Sequence, residues 1–318
     1  MSGHGGDPKK VVKAALAANA GIAVAKFVAA YLSGSATMLA EGVHSLADTG
    51  NQGLLLLGIL LSARKADARH PFGRAAESYF WSFLVALLLF FLGGVFAIYE
   101  GVHKLSEHTL PGSPWVALAV LVVSIGMEGT SFLVAFKEFN KERGNRSFKQ
   151  ALFEGKDPVI PVVLLEDTGA IIGLVIALIS VAVSAITGDS RVDAVGSIVI
   201  GVLLCLIGIA LARDTKSLLI GEGITDAMRL QVMGIIEAVP GVDKVGQLLS
   251  LHLGPKTILL ALKVRFERSL DLAGVERVTN DLEAAVRAEI PEMTRIFVEP
   301  DSNYDASLDP GDDGPPSH

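Results

Sequence analysis

Six long apolar stretches dominate the chain and are separated by short, more polar segments. They cover residues 14–32, 36–61, 79–102, 115–136, 159–186 and 192–211. Because an apolar helix needs about 20 residues to cross the hydrocarbon layer of a membrane, each stretch predicts a transmembrane helix. The number is even, so we expect both ends of the chain on the same side of the membrane.

The basic residues of the connecting segments indicate which side that is. Lysine and arginine concentrate before the first stretch and in the connections after the second, fourth and sixth, whereas Lys104 and Arg191 are the only ones in the other connections. Cytoplasmic segments carry the excess of positive charge. We therefore expect cytoplasmic N- and C-termini in a multi-pass protein, which would lie in the plasma (inner) membrane if the chain is bacterial.

After residue 213 the pattern changes to that of a small water-exposed domain. Thr225 is placed to cap a helix up to residue 238, residues 248–253 and 258–266 predict strands, residues 272–288 a second helix, and residues 294–298 a last strand. The order α-β-β-α-β favours helices on one face of a three-stranded sheet. We expect a six-helix transmembrane domain over 1–213, a cytosolic α+β domain over 214–302 and a disordered acidic tail over 303–318.

Composition narrows the functional classes. The 318 residues are 51% hydrophobic and 19% charged, with a mean hydropathy of +0.50, which excludes a purely soluble enzyme. Cys205 is the single cysteine, so neither an intramolecular disulfide nor a cysteine-rich metal motif can form. Any metal site must use His, Asp, Glu or Asn.

The second apolar stretch carries four polar residues on one helical face. Glu41, His44, Asp48 and Asn51 follow the spacing i, i+3, i+7 and i+10. Ionisable groups inside a membrane are costly, so they indicate function. His44 and Asp48, four residues apart, can converge on one divalent cation such as Zn²⁺. The alternative is a hydrogen-bonded polar contact between helices without an ion, and four groups on one stripe favour the ion site.

The fifth apolar stretch contains an adjacent acidic pair, Glu166 and Asp167. Neighbouring positions on a helix diverge by about 100°, so both side chains cannot point ideally at one centre. We expect one of them to bind the cation with His44 and Asp48, and the other to carry protons or support the ligands. Which of the two binds directly stays open.

Other polar residues in the apolar stretches are weaker candidates. Glu128 either belongs to a proton path or stabilises a contact between helices, and Glu41 and Asn51 either support the ligands or join that path. Lys26 either pairs with a carboxylate or lies in a water-accessible cavity, and its role is interpreted as structural.

Taken together, the six stretches, the His-Ser-Leu-Ala-Asp motif at 44–48, the acidic pair and the α-β-β-α-β domain resemble the cation diffusion facilitator family. The family's His-Pro-Phe-Gly loop element is matched at 70–73. Leu-Glu-Asp at 165–167 is most similar to the branch that contains the mitochondrial zinc transporter of animals. The resemblance implies a homodimeric exporter that exchanges divalent metal ions for protons.

The sequence departs from the family at its principal metal site. Family members usually carry His four residues before the acidic residue of the fifth span, but Val163 stands four residues before Asp167. Glu166 is the obvious substitute. A carboxylate in place of an imidazole makes Mn²⁺, Fe²⁺ or Co²⁺ more plausible cargo than in a two-histidine site.

Two auxiliary metal sites of the family lack some of their ligand residues in this sequence. Asp67 and His70 match a loop site, but Arg74 replaces its second histidine and its positive charge opposes a cation. In the cytosolic domain only the acidic residue Glu299 survives, so we expect no binuclear zinc site and a domain that dimerises through packing and salt bridges. The family's histidine positions there are taken by Gly246, Leu262, Glu276 and Phe297.

The sequence therefore predicts a proton-coupled exporter of divalent cations, most of all zinc, that works by alternating access around His44, Asp48, Asp167 and Glu166. We expect no cofactor, no nucleic-acid partner and no enzymatic activity. An exporter of Mn²⁺, Fe²⁺ or Co²⁺ with the same fold, and a non-transporting membrane regulator or scaffold, remain alternatives. An intramembrane metal hydrolase is disfavoured because the chain has no His-Glu-x-x-His motif.

Overall fold

The computed structural model describes residues 7–33, 36–107, 114–153 and 155–302. The side chains of residues 36–44 lie outside this description, which includes those of Glu41 and His44, and so does the expected tail 303–318. The chain divides into two compact units, Met1–Leu219 and Ile220–His318, and each is described by itself.

The first unit is built from helices. Its third long helical stretch is interrupted by a seven-residue π-helical segment. The described helices are α1 (Pro8–Ser33), α2 (Ala36–Ser62), α3 (Glu77–Leu88), the π segment (Leu89–Val95), α4 (Phe96–Glu107), α5 (Pro114–Arg143), α6 (Phe148–Phe153), α7 (Val159–Thr187) and α8 (Arg191–Ile220).

Five helical stretches in the described part of the chain are long and apolar enough to cross a membrane. They are Pro8–Ala29, Glu77–Ser106, Ala117–Arg143, Val159–Thr187 and Arg191–Ile220. A multi-pass helical membrane protein is thus confirmed. The predicted second span falls on α2, which is not among these five, so the count of six stays a prediction. α8 continues past residue 213 to Ile220, through a polar segment at 213–217 and a last apolar turn that begins with the buried Leu218.

The core of the first unit lies between α1, α2, α5 and α7, in which α1 packs against α2 and α5, and α5 packs against α7. Its fully buried side chains include Val12, Leu55, Phe139, Ile160 and Leu164. Near the start of α1, Lys10 Nζ lies 2.9 Å from Oε1 of Glu138 on α5, and this ion pair joins the two helices. Lys141 Nζ, also on α5, lies 2.8 Å from the same oxygen. Other apolar side chains point outward, as lipid-facing positions do.

The third helical stretch and α8 approach each other backbone to backbone through glycines. A Cβ atom on Gly201 would lie 2.7 Å from the carbonyl oxygen of Gly94, and a Cβ atom on Gly94 would lie 2.8 Å from the backbone nitrogen of Cys205. Small residues permit such close approach of membrane helices. Gly94 belongs to the π segment, so this irregular turn forms part of the contact.

The second unit has the predicted α-β-β-α-β order. It consists of α9 (Asp226–Glu237), β1 (Val242–Gly254), β2 (Thr257–Phe266), α10 (Leu272–Glu289) and β3 (Arg295–Pro300). The sheet order is β1-β2-β3, with β1 and β2 antiparallel and β2 and β3 parallel. Thr225 caps α9 by accepting a hydrogen bond from Met228 N. β1 begins six residues before the predicted strand, where the exposed Asp243 and Lys244 stand between Val242 and the buried Val245 and interrupt the apolar alternation.

One face of this sheet is buried and the other is open. Val245, Leu248 and Leu260 pack with Ile236 of α9 and Leu282 of α10. On the opposite face Leu249 and Phe297 expose 54% and 53% of their surface. A shallow depression on that face is lined by Leu249, Ala261, Lys263, Phe297 and Glu299.

Candidate functional site

Polar side chains of α2 line the inside of the first unit. Asn51 is 6% exposed and Gln52 is fully buried, while Asp48 is half-buried one turn before them. His44 and Glu41 belong to the same helix, but their side chains lie outside the described ones. Thus the structure describes half of the predicted stripe, Asp48 and Asn51.

Glu166 of α7 is joined to α2 by two amide side chains. Gln52 Nε2 donates to Glu166 Oε2 at 2.6 Å, and Asn51 Nδ2 donates to Glu166 Oε1 at 3.5 Å. Asn51 was a predicted site residue. Gln52 was not predicted, because it lies one position off the stripe; the signal that could have found it is a second amide next to Asn51 in an apolar helix.

Asp167, which is 1% exposed, points to a different helix. Ser131 Oγ of α5 donates to Asp167 Oδ2 at 2.7 Å. The divergence of neighbouring helical positions thus presents Glu166 to α2 and Asp167 to α5. Ser131 also escaped prediction, although it lies one helical turn after Glu128 on α5.

Glu128 is a further buried acidic residue, on α5. It is 7% exposed and lies one helical turn before Ser131, and α5 packs against α1, where Lys26 is 5% exposed. Asp48 likewise lies one helical turn before Gln52 on α2. We call the set Lys26, Asp48, Glu128, Glu166 and Asp167 the charged layer. It draws on α1, α2, α5 and α7, the four helices that form the core.

The charged layer supplies ligands suited to a divalent cation, although the described side chains do not converge on one. Among the described residues, no three His, Cys, Asp or Glu side chains come together closely enough to hold a metal ion. Glu166 is hydrogen-bonded to amides and Asp167 to a hydroxyl. A site built on Asp48 and Asp167 would therefore depend on His44 and on a rearrangement of these hydrogen bonds.

The loop between α2 and α3 holds the two residues of the predicted auxiliary site. Asp67 Oδ1 accepts hydrogen bonds from the backbone nitrogens of His70 and Arg69 at 2.7 and 2.9 Å and contacts His70 Nδ1 at 3.2 Å. Arg74 Nη2 lies 3.5 Å from Asp67 Oδ2. The hydrogen bonds from His70, its backbone amide first, lower the pKa of the Asp67 carboxyl. A cation here would compete with Arg74, and the metal role of Asp67 and His70 stays a prediction.

Comparison with known proteins decides the family. Residues 12–220, well over half of the chain, match the cation efflux transmembrane domain. The chain belongs to the cation efflux family. The match covers α2, α5 and α7 with their acidic residues, and it confirms the resemblance to the cation diffusion facilitators.

Three relatives within this family illustrate its range. The chain is 34% identical over 269 residues to the mitochondrial proton-coupled zinc antiporter SLC30A9 of Homo sapiens, covering 84% of this chain and 46% of the relative. It is 32% identical over 289 residues to metal tolerance protein C4 of Arabidopsis thaliana, covering 90% and 62%. It is 27% identical over 289 residues to the cation-efflux pump FieF of Shigella flexneri, covering 88% and 89%.

These matches support the predicted branch of the cation efflux family. The mitochondrial antiporters of several vertebrates are 32–34% identical to this chain over 269 residues. The chain spans about half the length of these antiporters.

Proposed function

We propose that this protein exports a divalent metal cation, zinc above all, in exchange for protons. The observation that carries the proposal is the charged layer, which places four carboxylates between α2, α5 and α7 of a cation efflux protein. Buried membrane carboxylates mark ion pathways. The relatives support the cargo, since one is a proton-coupled zinc antiporter by name and another a cation-efflux pump.

The ion binds to His44, Asp48 and Asp167 in this proposal. Glu166 acts as the fourth ligand or as a proton acceptor. Its hydrogen bonds to Gln52 and Asn51 support the second role, because both of its oxygens already face amide donors. Asp167 has one oxygen bonded to Ser131, which leaves its other oxygen for a cation.

Exchange for protons follows from the chemistry of these ligands. Carboxylates and imidazole bind a cation only when they are deprotonated, so access from an acidic side releases the ion and loads protons. Glu128 lies one helical turn before Ser131, the hydrogen-bond partner of Asp167, and extends the proton path along α5. Asn51 supports Glu166, and Glu41 is assigned to the same path from its place on α2. No resident cofactor is needed.

Two alternatives keep specific support. A ligand set with more carboxylates than imidazoles suits Mn²⁺, Fe²⁺ or Co²⁺ as cargo as well. A regulator or scaffold without transport is favoured by the incomplete auxiliary sites. Arg74 approaches Asp67 in the loop site. In the cytosolic domain, Leu262 and Phe297 stand where the family resemblance implies metal-binding histidines.

We further infer that the protein is a homodimer with cytoplasmic termini. The open face of the β1-β2-β3 sheet, with Leu249 and Phe297 more than half exposed, is an apolar surface suited to a second copy of the chain. The basic connections between the apolar stretches support the orientation of the termini.

A flux measurement on purified protein in liposomes tests the proposed function. Zn²⁺, Mn²⁺, Fe²⁺ and Co²⁺ are offered with and without a pH gradient. We expect zinc flux that requires the gradient and that Asp48→Asn and Asp167→Asn abolish, since each substitution removes a charged ligand while keeping side-chain size. Asp226→Asn, at the start of α9, is the matched control and should transport normally. Absence of flux with every metal, or normal flux in both ligand variants, would refute the proposal.

A further inference from the structure

The turn that joins α5 to α6 carries a dense group of basic side chains. Arg143, Arg146 and Lys149 are spaced three residues apart across it, and Arg146 and Lys149 are exposed. None of the three forms an ion pair with a carboxylate in the described part of the chain. Lys141, just before them, does pair with Glu138 at 2.8 Å. The turn therefore presents positive charge that the protein itself does not neutralise.

The end of α5 holds the Arg146 side chain in place. Its Nη2 donates to the carbonyl oxygen of Glu142 at 3.0 Å, and its Nε donates to that of Arg143 at 3.3 Å. Glu142 is the one acidic residue between positions 139 and 150, against four basic ones. Arg143, which is half-buried, has no hydrogen-bond acceptor for its Nε among the described residues. An oxygen anion from outside the protein is the acceptor that guanidinium groups of this kind bind best.

The basic turn lies where α5 leaves the membrane. The apolar span of this helix covers Ala117–Arg143, so the residues after it stand at the level of the lipid headgroups. The outer face of α5 changes character on the way: Leu133 and Phe136 expose 64% and 38% of their surface, and Lys137 is exposed directly after them. This order, apolar and then basic, matches acyl chains that give way to headgroups.

Phe148 adds an aromatic ring to the same turn. It is 42% exposed and packs edge-on against the buried Phe139 of α5, with the ring centroids 5.1 Å apart. Ala151 and Leu152 are only 4% and 5% exposed, so α6 rests on the protein through one face and leaves Lys149 on the other. Aromatic rings beside basic side chains are typical of surfaces that lie in the interfacial region of a membrane.

We propose that the α5–α6 corner, defined as Lys137, Arg143, Arg146, Phe148 and Lys149, binds the headgroup of an anionic phospholipid. Arginine and lysine bind phosphate oxygens through charge-assisted hydrogen bonds. An anionic headgroup keeps its negative charge, whereas the ammonium of a zwitterionic headgroup offsets it, so the corner prefers the anionic lipid. The inference concerns the lipid and does not depend on the transported cation.

A tryptophan at the corner reports which lipid binds there. Phe148→Trp is introduced into the full-length chain after its own Trp81 and Trp115 are replaced by Phe. Brominated phosphatidylglycerol or brominated phosphatidylcholine then quenches this one tryptophan on contact, and the ratio of the two binding constants measures the preference. We expect phosphatidylglycerol to bind at least about fivefold more strongly, the factor that corresponds to about one basic residue at a membrane surface. Equal binding of the two lipids would overturn the inference.

Charge removal separates a site at the corner from general attraction to the membrane. The double variant R146Q/K149Q should bring the ratio to within about twofold of one. The matched control K244Q/K256Q removes two exposed lysines from the second unit and should keep the ratio of the parent protein. A double variant that keeps the preference, or a control that loses it, would contradict the proposal. Lys149→Gln, on the exposed side of α6, should lower the ratio by itself and decides the question if the double variant fails to fold.

Inorganic phosphate distinguishes a lipid headgroup from a soluble anion of the same chemistry. Added in excess at constant ionic strength, it should leave the ratio unchanged, because the lipid is held at high concentration in the membrane. Loss of the ratio would assign the corner to a soluble phosphate and overturn the lipid proposal. None of the corner residues belongs to the charged layer, so either outcome leaves the proposed transport function intact.

Discussion

The contact between Gln52 and Glu166 offers the sharpest test of how the charged layer is held together. Gln52 is fully buried on α2, Glu166 is 6% exposed on α7, and the nitrogen and oxygen atoms lie 2.6 Å apart. Gln52→Met keeps the length of the side chain and removes the donor. We expect this substitution to destabilise the first unit, because it leaves a buried carboxylate without its short hydrogen bond.

The expected magnitude follows from the geometry. Removing the donor from a buried acceptor costs about 1–3 kcal/mol, because the acceptor is left without that partner. The remaining contact, from Asn51 Nδ2 at 3.5 Å, is too long to replace it. A loss of about 2 kcal/mol lowers the melting temperature of a unit of this size by about 4–8 °C. Asn51→Leu removes the longer contact and should lower it by less than half as much.

Tryptophan fluorescence provides the assay. Both tryptophans, Trp81 and Trp115, belong to the first unit, so thermal unfolding followed at one scan rate in detergent reports that unit alone. In a Glu166→Leu background the loss caused by Gln52→Met should shrink sharply, because two partners removed together cost less than one. An equal loss in both backgrounds, or a loss in Asn51→Leu as large as in Gln52→Met, would refute the reasoning.

Two other features give predictions of their own. Gly201→Ala places a Cβ atom 2.7 Å from the carbonyl oxygen of Gly94 and should destabilise the first unit by about 1–3 kcal/mol in the same unfolding assay. Gly126→Ala is the control, because no atom lies near its Cβ, and it should leave the stability unchanged. Equal effects of the two substitutions would contradict the glycine contact. In the α2–α3 loop, hydrogen bonds from His70 lower the pKa of Asp67, so the ionised carboxylate stabilises the folded loop. This stabilisation is complete above the ordinary pKa of Asp and disappears as the pH falls through the lowered pKa. Cleavage of this loop by an acid-active protease should therefore accelerate at low pH in the wild type, and Asp67→Asn should flatten the dependence; an unchanged pH profile in Asp67→Asn would contradict it.

Much of the fold could be predicted because it depends on local pattern. Long apolar runs must form helices in a membrane, since every backbone N–H and C=O group there needs an internal partner. The α-β-β-α-β order was likewise visible in the capping residue Thr225 and in the alternation of β2. Helix and strand ends were predicted less well, as α8 and β1 show, because short polar segments interrupt the apolar pattern before these elements end or begin.

The irregular parts of the membrane unit carried no such signal. Leu89–Val95 is as apolar as its surroundings, yet it forms a π-helical segment whose Gly94 meets Gly201 of α8. Helix geometry at this point depends on how closely a second helix approaches. Nothing in the local sequence specifies that approach.

Hydropathy and motif spacing were sufficient to identify the side chains available for chemistry. Hydropathy isolates Asp48, Glu128, Glu166 and Asp167 as acidic residues within apolar stretches, and the family motif adds His44. It also predicted that Glu166 and Asp167 diverge, because that depends only on the rotation per residue of a helix.

The partners of these side chains depend on how the helices pack against one another. Glu166 bonds to Gln52, 114 positions away, and Asp167 bonds to Ser131, 36 positions away. Each pairing depends on the rotation of one helix about its axis and on its height against the next. Periodicity within one helix cannot specify these quantities, because they are set by the packing of side chains from several helices at once.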